Sequence, residues 1–290
     1  MIKSRTSLRK TKINIYDILI CLCVAIILVV ASIFFYYYRQ SNKNEDIVAE
    51  IKEKIIEDET IPEEKQQSYL EYYLIDGVPV QKKFKDIYLQ NSDFIGWITI
   101  DDTVIDYPVM QTIDDEEYYL RRDFNKEYNV GGTLFIDKES SYKMPSDNII
   151  MYGHHMHNGT MFKGLLKYED EDYYKEHKYI SFNTLNGNAT YEIIAAYRTH
   201  ISSEESTEFK YYEFHNAFST EEYNDFISNS KNLTPYKIET DAEWGDKLLT
   251  LSTCAYHTSN GRYVVVAKRI EHTDIDTTKK PLEIITTENE

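Results

Sequence analysis

The distribution of apolar positions divides the chain into two unlike parts. Residues 18–38 read ILICLCVAIILVVASIFFYYY, an uninterrupted apolar run with no charge. At about 1.5 Å per residue such a run makes a helix of about 31 Å, matched to a hydrocarbon core of about 30 Å. It is too long for a signal-peptide core, and no small-x-small cleavage pattern follows it, so the pattern predicts a retained membrane anchor. From Phe94 onward the pattern changes to short runs rich in β-branched and aromatic residues. FIGWITI, VIDYPVM, TLFID, NIIMYG, YISFNT, ATYEIIAAYRT, KLLTLST and RYVVVAKRI predict about eight strands, and NGN at 186–188 is a hairpin turn signal. Eight short strands with few helices imply a mainly β domain, a closed barrel or a sandwich, with closure removing exposed edges.

Helical spacing appears between these runs. Residues 39–68 are charged and glycine-free, and IVAEIKEKIIEDE within them predicts a stalk or a helix lying against the domain, with Pro62 opening a new turn. Residues 82–90 predict a second helix after the extended GVPV. DDEEYYLRR (114–122), TMFKGLLKY (160–168) and STEEYNDFISNS (219–230) predict three more. Asp114 and Asp115 suit the positive end of the first of these, and Ser219 with Glu222 fits a capping box on the last. The resulting organisation is a basic N-terminus (1–17), an anchor (18–38), an acidic stalk (39–69), a folded domain (70–272) and a polar tail (273–290). That tail is expected to be disordered or loosely attached.

Charge sets orientation and excludes some partners. Lys3, Arg5, Arg9, Lys10 and Lys12 precede the span, and the stretch after it is acidic, which predicts a cytoplasmic N-terminus and an extracellular domain. Tyr36, Tyr37 and Tyr38 suit an interfacial belt. The net charge is −17, and residues 40–290 alone carry 26 Lys/Arg against 48 Asp/Glu. Such a surface disfavours nucleic acid and suits solubility or a cationic partner.

Three of the residues are cysteines. Cys21 and Cys23 lie within the span. Cys254 stands alone in the outer domain, so it is an intermolecular link, an inert buried thiol or a reactive one. It ends the apolar run LLTLSTC, and Arg262 opens the next run eight residues later. A third strand ends at Tyr152-Gly153, where His154 leaves it. Strand ends are held rigidly yet face a rim. A thiol, a histidine and an arginine gathered there would suit acyl transfer: a thiolate to attack a carbonyl, an imidazole to move the proton, a rigid guanidinium to steady the oxyanion. The alternative, a metal site from His154, His155, His157 and Cys254, is disfavoured because HHxH lacks the spacing of a helical metal pair.

These stretches carry a family resemblance. DFIGWITI (93–100), VIDYPVMQ (104–111), YGHHMHNGTMF (152–162) and TLSTC (250–254), in this order with Arg262 after the cysteine, resemble the sortases, most closely class B. The resemblance spans roughly residues 70–271. It implies an eight-stranded sortase-like β-barrel with N-terminal helices and an extra helix, here near 219–230, before the cysteine strand. It implies a membrane-bound, cofactor-independent cysteine transpeptidase of a Gram-positive surface. Such an enzyme cuts sorting-signal-bearing surface proteins after threonine, holds them as a thioester and passes them to a peptidoglycan amine. The matching positions are Cys254 as nucleophile, His154 as the histidine and Arg262 as the arginine, with His155 and His157 as bystanders. Ser252 falls where class B sortases contact substrate, and Tyr211 or Tyr212 falls near the pocket. His257 lies closer to the thiol in sequence than His154 does. A surface thiol hydrolase using the same residues, and a non-enzymatic adhesion module with an inert cysteine, are the competing readings.

Overall fold

The computed structural model describes residues 14–55, 70–255 and 258–287. Helix α1, Ile15–Glu53, contains the whole apolar run and continues without a break into the acidic segment. Its upstream apolar side chains are exposed, along a helix long and apolar enough to cross a membrane. Further on, Ile47, Val48 and Ile51 fall on one helical face and are buried. The first part of the expected stalk is therefore a docked helix; Pro62 lies outside the described residues.

The eight predicted strands all form. They are β3 (Phe94–Thr99), β4 (Asp106–Met110), β5 (Leu134–Ile136), β6 (Asn148–Tyr152), β7 (Tyr179–Thr184), β8 (Gly187–His200), β9 (Leu248–Cys254) and β10 (Gly261–Asp274). They close into a barrel of order β10-β8-β7-β3-β4-β5-β6-β9. Most neighbours are antiparallel; β4–β5 and β6–β9 are parallel. Register shifts at Val266/Ala267 and Arg269/Glu271 bend the long β10 around the closure. At Gly96 any side chain would drive into the Asn183 carbonyl of β7, since a Cβ there would stand 2.4 Å from it.

Two strands precede the barrel. β1 (Tyr72–Ile75) and β2 (Val78–Gln81) form a hairpin, turned at Asp76 and Gly77, both with positive φ. The C-terminal tail corrects the expectation of loose attachment. Its strand β11 (Ile284–Ile285) pairs in parallel with β1, and both Thr287 groups, N–H and hydroxyl, donate to the Asp76 carboxylate.

The helical patches are only partly helical. The second predicted helix is a 3-10 turn (Lys82–Phe84) followed by α2 (Lys85–Gln90). Residues 114–122 and 160–168 yield 3-10 turns, Tyr118–Arg121 and Phe162–Glu169, and a short α3 (Glu171–Glu176) follows unannounced. Helix α4 (Thr220–Leu233) forms where expected. Ser219 Oγ accepts from Glu222 N–H as a cap should, while the Glu222 carboxylate accepts from Phe218 N–H, one residue before the cap.

Two cores result among the described residues. One fills the barrel with residues such as Leu249, Leu251, Val265 and Phe182. The other lies outside the barrel wall, where Tyr223, Phe226 and Ile227 of α4, with Tyr211 and Phe214 before it, cover Ile194, Leu248, Val264 and Val266. Both flank β9 and β10, one on each face.

Candidate active site

Side chains alternate along a strand, so Leu248, Thr250, Ser252 and Cys254 share the outer face of β9. On β10 the same face carries Arg262, Val264 and Val266. Arg262 pairs directly with Cys254 in the antiparallel register, which places guanidinium and thiol on one side of adjacent strand ends. The thiol is half-buried. Arg262 Nη1 donates to the carbonyls of Gly261 (3.0 Å) and Asn260 (3.3 Å), folding the guanidinium back against its own loop.

The histidine arrives from the other neighbour. β6 runs parallel to β9 with Tyr152 opposite Ser252, and Gly153 N–H donates to the Ser252 carbonyl at 3.1 Å. A Cβ at Gly153 would lie 2.4 Å from Leu134 and 2.6 Å from Phe162, so only glycine lets the chain pass here. His154 follows. Its Nε2 lies 2.7 Å from the Leu120 carbonyl. A carbonyl only accepts, so Nε2 carries the hydrogen and Nδ1 is the nitrogen left to exchange protons. Burial holds His154 below the usual histidine range; the Leu120 bond pulls upward and the Arg121 charge downward. Leu120 is itself held by a tight turn. At Gly132, with φ of +57°, a Cβ would stand 2.5 Å from the carbonyls of Tyr119 and Leu120.

His155, expected to be a bystander, is tied to the backbone of Cys254. Its Nδ1 donates to the Cys254 carbonyl at 2.9 Å. It clamps the histidine loop to the end of β9, a role with no signal in the sequence beyond adjacency to His154. His157 is exposed. His257 lies outside the described residues.

Ser252 is only 1% exposed, and its hydroxyl shares a 2.6 Å hydrogen bond with the Tyr211 hydroxyl. Tyr211 is fully buried, pushed up to about 12 by burial, against the Ser252 hydrogen bond and the Arg262 charge; the neighbouring Cys254 adds to the rise. Tyr212 stands edge-on to it at 5.4 Å, is only partly buried, and donates to the Ser202 carbonyl. Tyr211 thus supports the wall from behind, and Tyr212 is the more accessible of the two. Sequence reading also passed over Tyr152. It ends β6, and its hydroxyl donates to Asp137 (3.2 Å), whose other oxygen lies 3.1 Å from His215 Nε2.

Known proteins resemble this chain in sequence and fold. The family model for the sortase domain matches residues 98–270. Sortase B of Listeria monocytogenes is 33% identical over 193 residues, covering 66% of this chain and 75% of that protein. Sortase B of Staphylococcus aureus is 32% identical over 196 residues, covering 66% and 76%. Among solved structures, sortase B from B. anthracis in complex with AAEK1 superposes with a TM-score of 0.66 at 31% identity, over 81% of this chain and 99% of that one. The Staphylococcus aureus sortase B–substrate complex gives 0.60 at 31%, over 66% and 86%. The closed barrel and these matches define a sortase-type cysteine transpeptidase. Within that class the chain belongs to the sortase B family, whose activity anchors surface proteins.

Proposed function

We propose that Cys254, His154 and Arg262 are the catalytic group of a membrane-anchored transpeptidase that cleaves a sorting signal after threonine. The observation that carries this is the register: Cys254 and Arg262 are paired residues, and His154 leaves the strand on the other side of Cys254. Neutral His154 takes the thiol proton on Nδ1, and Cys254 Sγ attacks the threonine carbonyl carbon. Arg262 exchanges its bonds to the Gly261 and Asn260 carbonyls for the oxyanion, which costs little because one set of acceptors replaces another. The C–N bond breaks, and Nδ1 returns its proton to the leaving amine, leaving a thioester on Cys254. A peptidoglycan amine then attacks the thioester, gives its proton to Nδ1, and displaces the sulfur.

The apolar part of α1 spans the membrane once, with the basic N-terminus in the cytoplasm and the barrel outside. Residues 1–17, 18–38, 39–69, 70–272 and 273–290 are the corresponding segments of the chain. Supporting this reading, solved relatives are a sortase B–substrate complex and a sortase B complexed with triglycine. The test incubates the protein with sorting-signal peptides, with and without oligoglycine or other cell-wall amines. Amine-dependent ligation product, with a hydroxylamine-sensitive peptide adduct on Cys254, is expected. Release of free acid at the same rate with or without amine would make the protein a thiol hydrolase instead.

A further inference from the structure

We propose that the first turns of α1 beyond the span are part of the active site, with Asn129 and Asn44 as positioning residues for His154. This rests on the catalytic role given to His154 above. Gln40 lies two residues past the apolar run. Its carbonyl accepts from Asn129 Nδ2 at 3.0 Å. Asn129 is fully buried; its N–H donates to the Arg121 carbonyl at 3.0 Å and its Oδ1 accepts from Gly131 N–H at 2.9 Å. The peptide next to Arg121 ends in the Leu120 carbonyl, the acceptor that sets the tautomer of His154. The helix and the imidazole are thus joined through a single folded loop, residues 120–131.

A second route runs from the same helical turns to the other side of the histidine. Asn44, 4% exposed, points its amide at the Met161 sulfur, 3.6 Å away. Tyr107 donates its hydroxyl to the Glu45 carboxylate and accepts from Met161 N–H at 3.1 Å. Met161 has φ of +57° and pairs with His155, and Phe162 N–H donates to the His154 carbonyl at 3.0 Å. A left-handed non-glycine residue must be held by its surroundings. Here α1 and Tyr107 hold it, and Met161 in turn closes the loop that carries His154. The acceptor for the ring and the backbone of the ring's own loop are both seated on α1.

The consequence is a division of labour: the span holds the enzyme in the bilayer, and the turns just outside it keep His154 half-buried, and that burial is the main cause of its lowered pKa. Loosening either route should let water reach the imidazole and raise its pKa toward the ordinary value. The test uses the full chain in detergent micelles, with Asn129→Ala, Asn44→Ala and Tyr107→Phe. Each is expected to lower kcat about 10-fold with KM unchanged within about two-fold, and to move the acidic limb of the kcat/KM profile upward by about half a pH unit. Tyr107→Phe keeps shape and burial, so it decides the matter if the alanine variants fail to fold. Folded variants that lose Tm but keep kcat and the acidic limb overturn the proposal. His154→Ala is the control: if it remains active, the catalytic reading fails, whereas an inactive His154→Ala beside unaffected Asn129, Asn44 and Tyr107 variants removes the positioning role alone.

Discussion

The two faces of β9 and β10 make different use of the same hydrogen-bonded ladder. The inner face presents Leu249, Leu251, Val265 and Ala267 to the barrel core. The outer face begins apolar, with Leu248, Val264 and Val266 under α4, and turns polar toward one end: Thr250, Ser252, then Cys254 beside Arg262. The inner face, from Leu249 and Leu251 to Val265 and Ala267, is enclosed in the barrel core and reaches no surface. The outer face is covered only as far as Tyr211, so its last residues reach a surface while their backbones stay locked in the sheet. Rigidity comes from one face, and the proposed chemistry from the end of the other.

Substitutions on the two faces should therefore separate activity from stability. Cys254→Ala is expected to abolish thioester formation and ligation while leaving Tm within a degree or two, since a half-buried thiol contributes little packing. Leu251→Ala, three residues away on the inner face, should do the reverse, lowering unfolding free energy by about 2–5 kcal/mol. Chemical denaturation and a ligation assay on both variants check the pair; equal losses of stability would erase the contrast.

The next effect is smaller and concerns two adjacent histidines. His154→Ala should reduce kcat/KM about 100-fold or more, the scale of lost acid–base catalysis, and His155→Ala by clearly less, through a loosened Cys254 backbone. Because burial holds His154 below the ordinary range, activity should persist into mildly acidic solution and fall only as pH drops through that lowered value. A pH profile whose acidic limb sits above the ordinary histidine pKa of about 6.5 would contradict this.

Arg262→Lys keeps the charge and loses the planar fork. It should cost at least about 10-fold in kcat/KM, or about 1.4 kcal/mol of transition-state stabilisation. Near-normal kinetics would mean that a diffuse positive charge suffices. The smallest effect is expected behind the site. Tyr211→Phe removes the buried bond to Ser252 and should cost about 1 kcal/mol of stability, with KM moving more than kcat. A large kcat loss there would put Tyr211 among the reacting groups rather than behind them.

Strand content was legible because it is written in residue type at a two-residue period. The Cys254–Arg262 relation was legible for a similar reason: two strands joined by a short loop almost must lie side by side. Helical patches fared worse. Residues 114–122 and 160–168 carry helical composition, yet they curl into 3-10 turns, each a short bridge tied to His154, through the Leu120 carbonyl and the Phe162 N–H. The tail reads as polar and unattached because its partner, β1, lies two hundred residues earlier and contributes mainly backbone hydrogen bonds.

By itself, the sequence determined that one apolar helix precedes a domain of about eight strands, and it put forward Cys254, His154 and Arg262 for the chemistry. Tertiary structure decided the rest. It set β6 parallel to β9, bringing the histidine loop to the Cys254 end of β9 across a hundred residues. It gave Leu120 the task of choosing the imidazole tautomer and His155 the task of holding the Cys254 carbonyl. It turned the start of an acidic stalk into the seat of the histidine loop. Those decisions are made by backbone carbonyls and amides, which every residue carries alike, and only the closed barrel determines which of them meet.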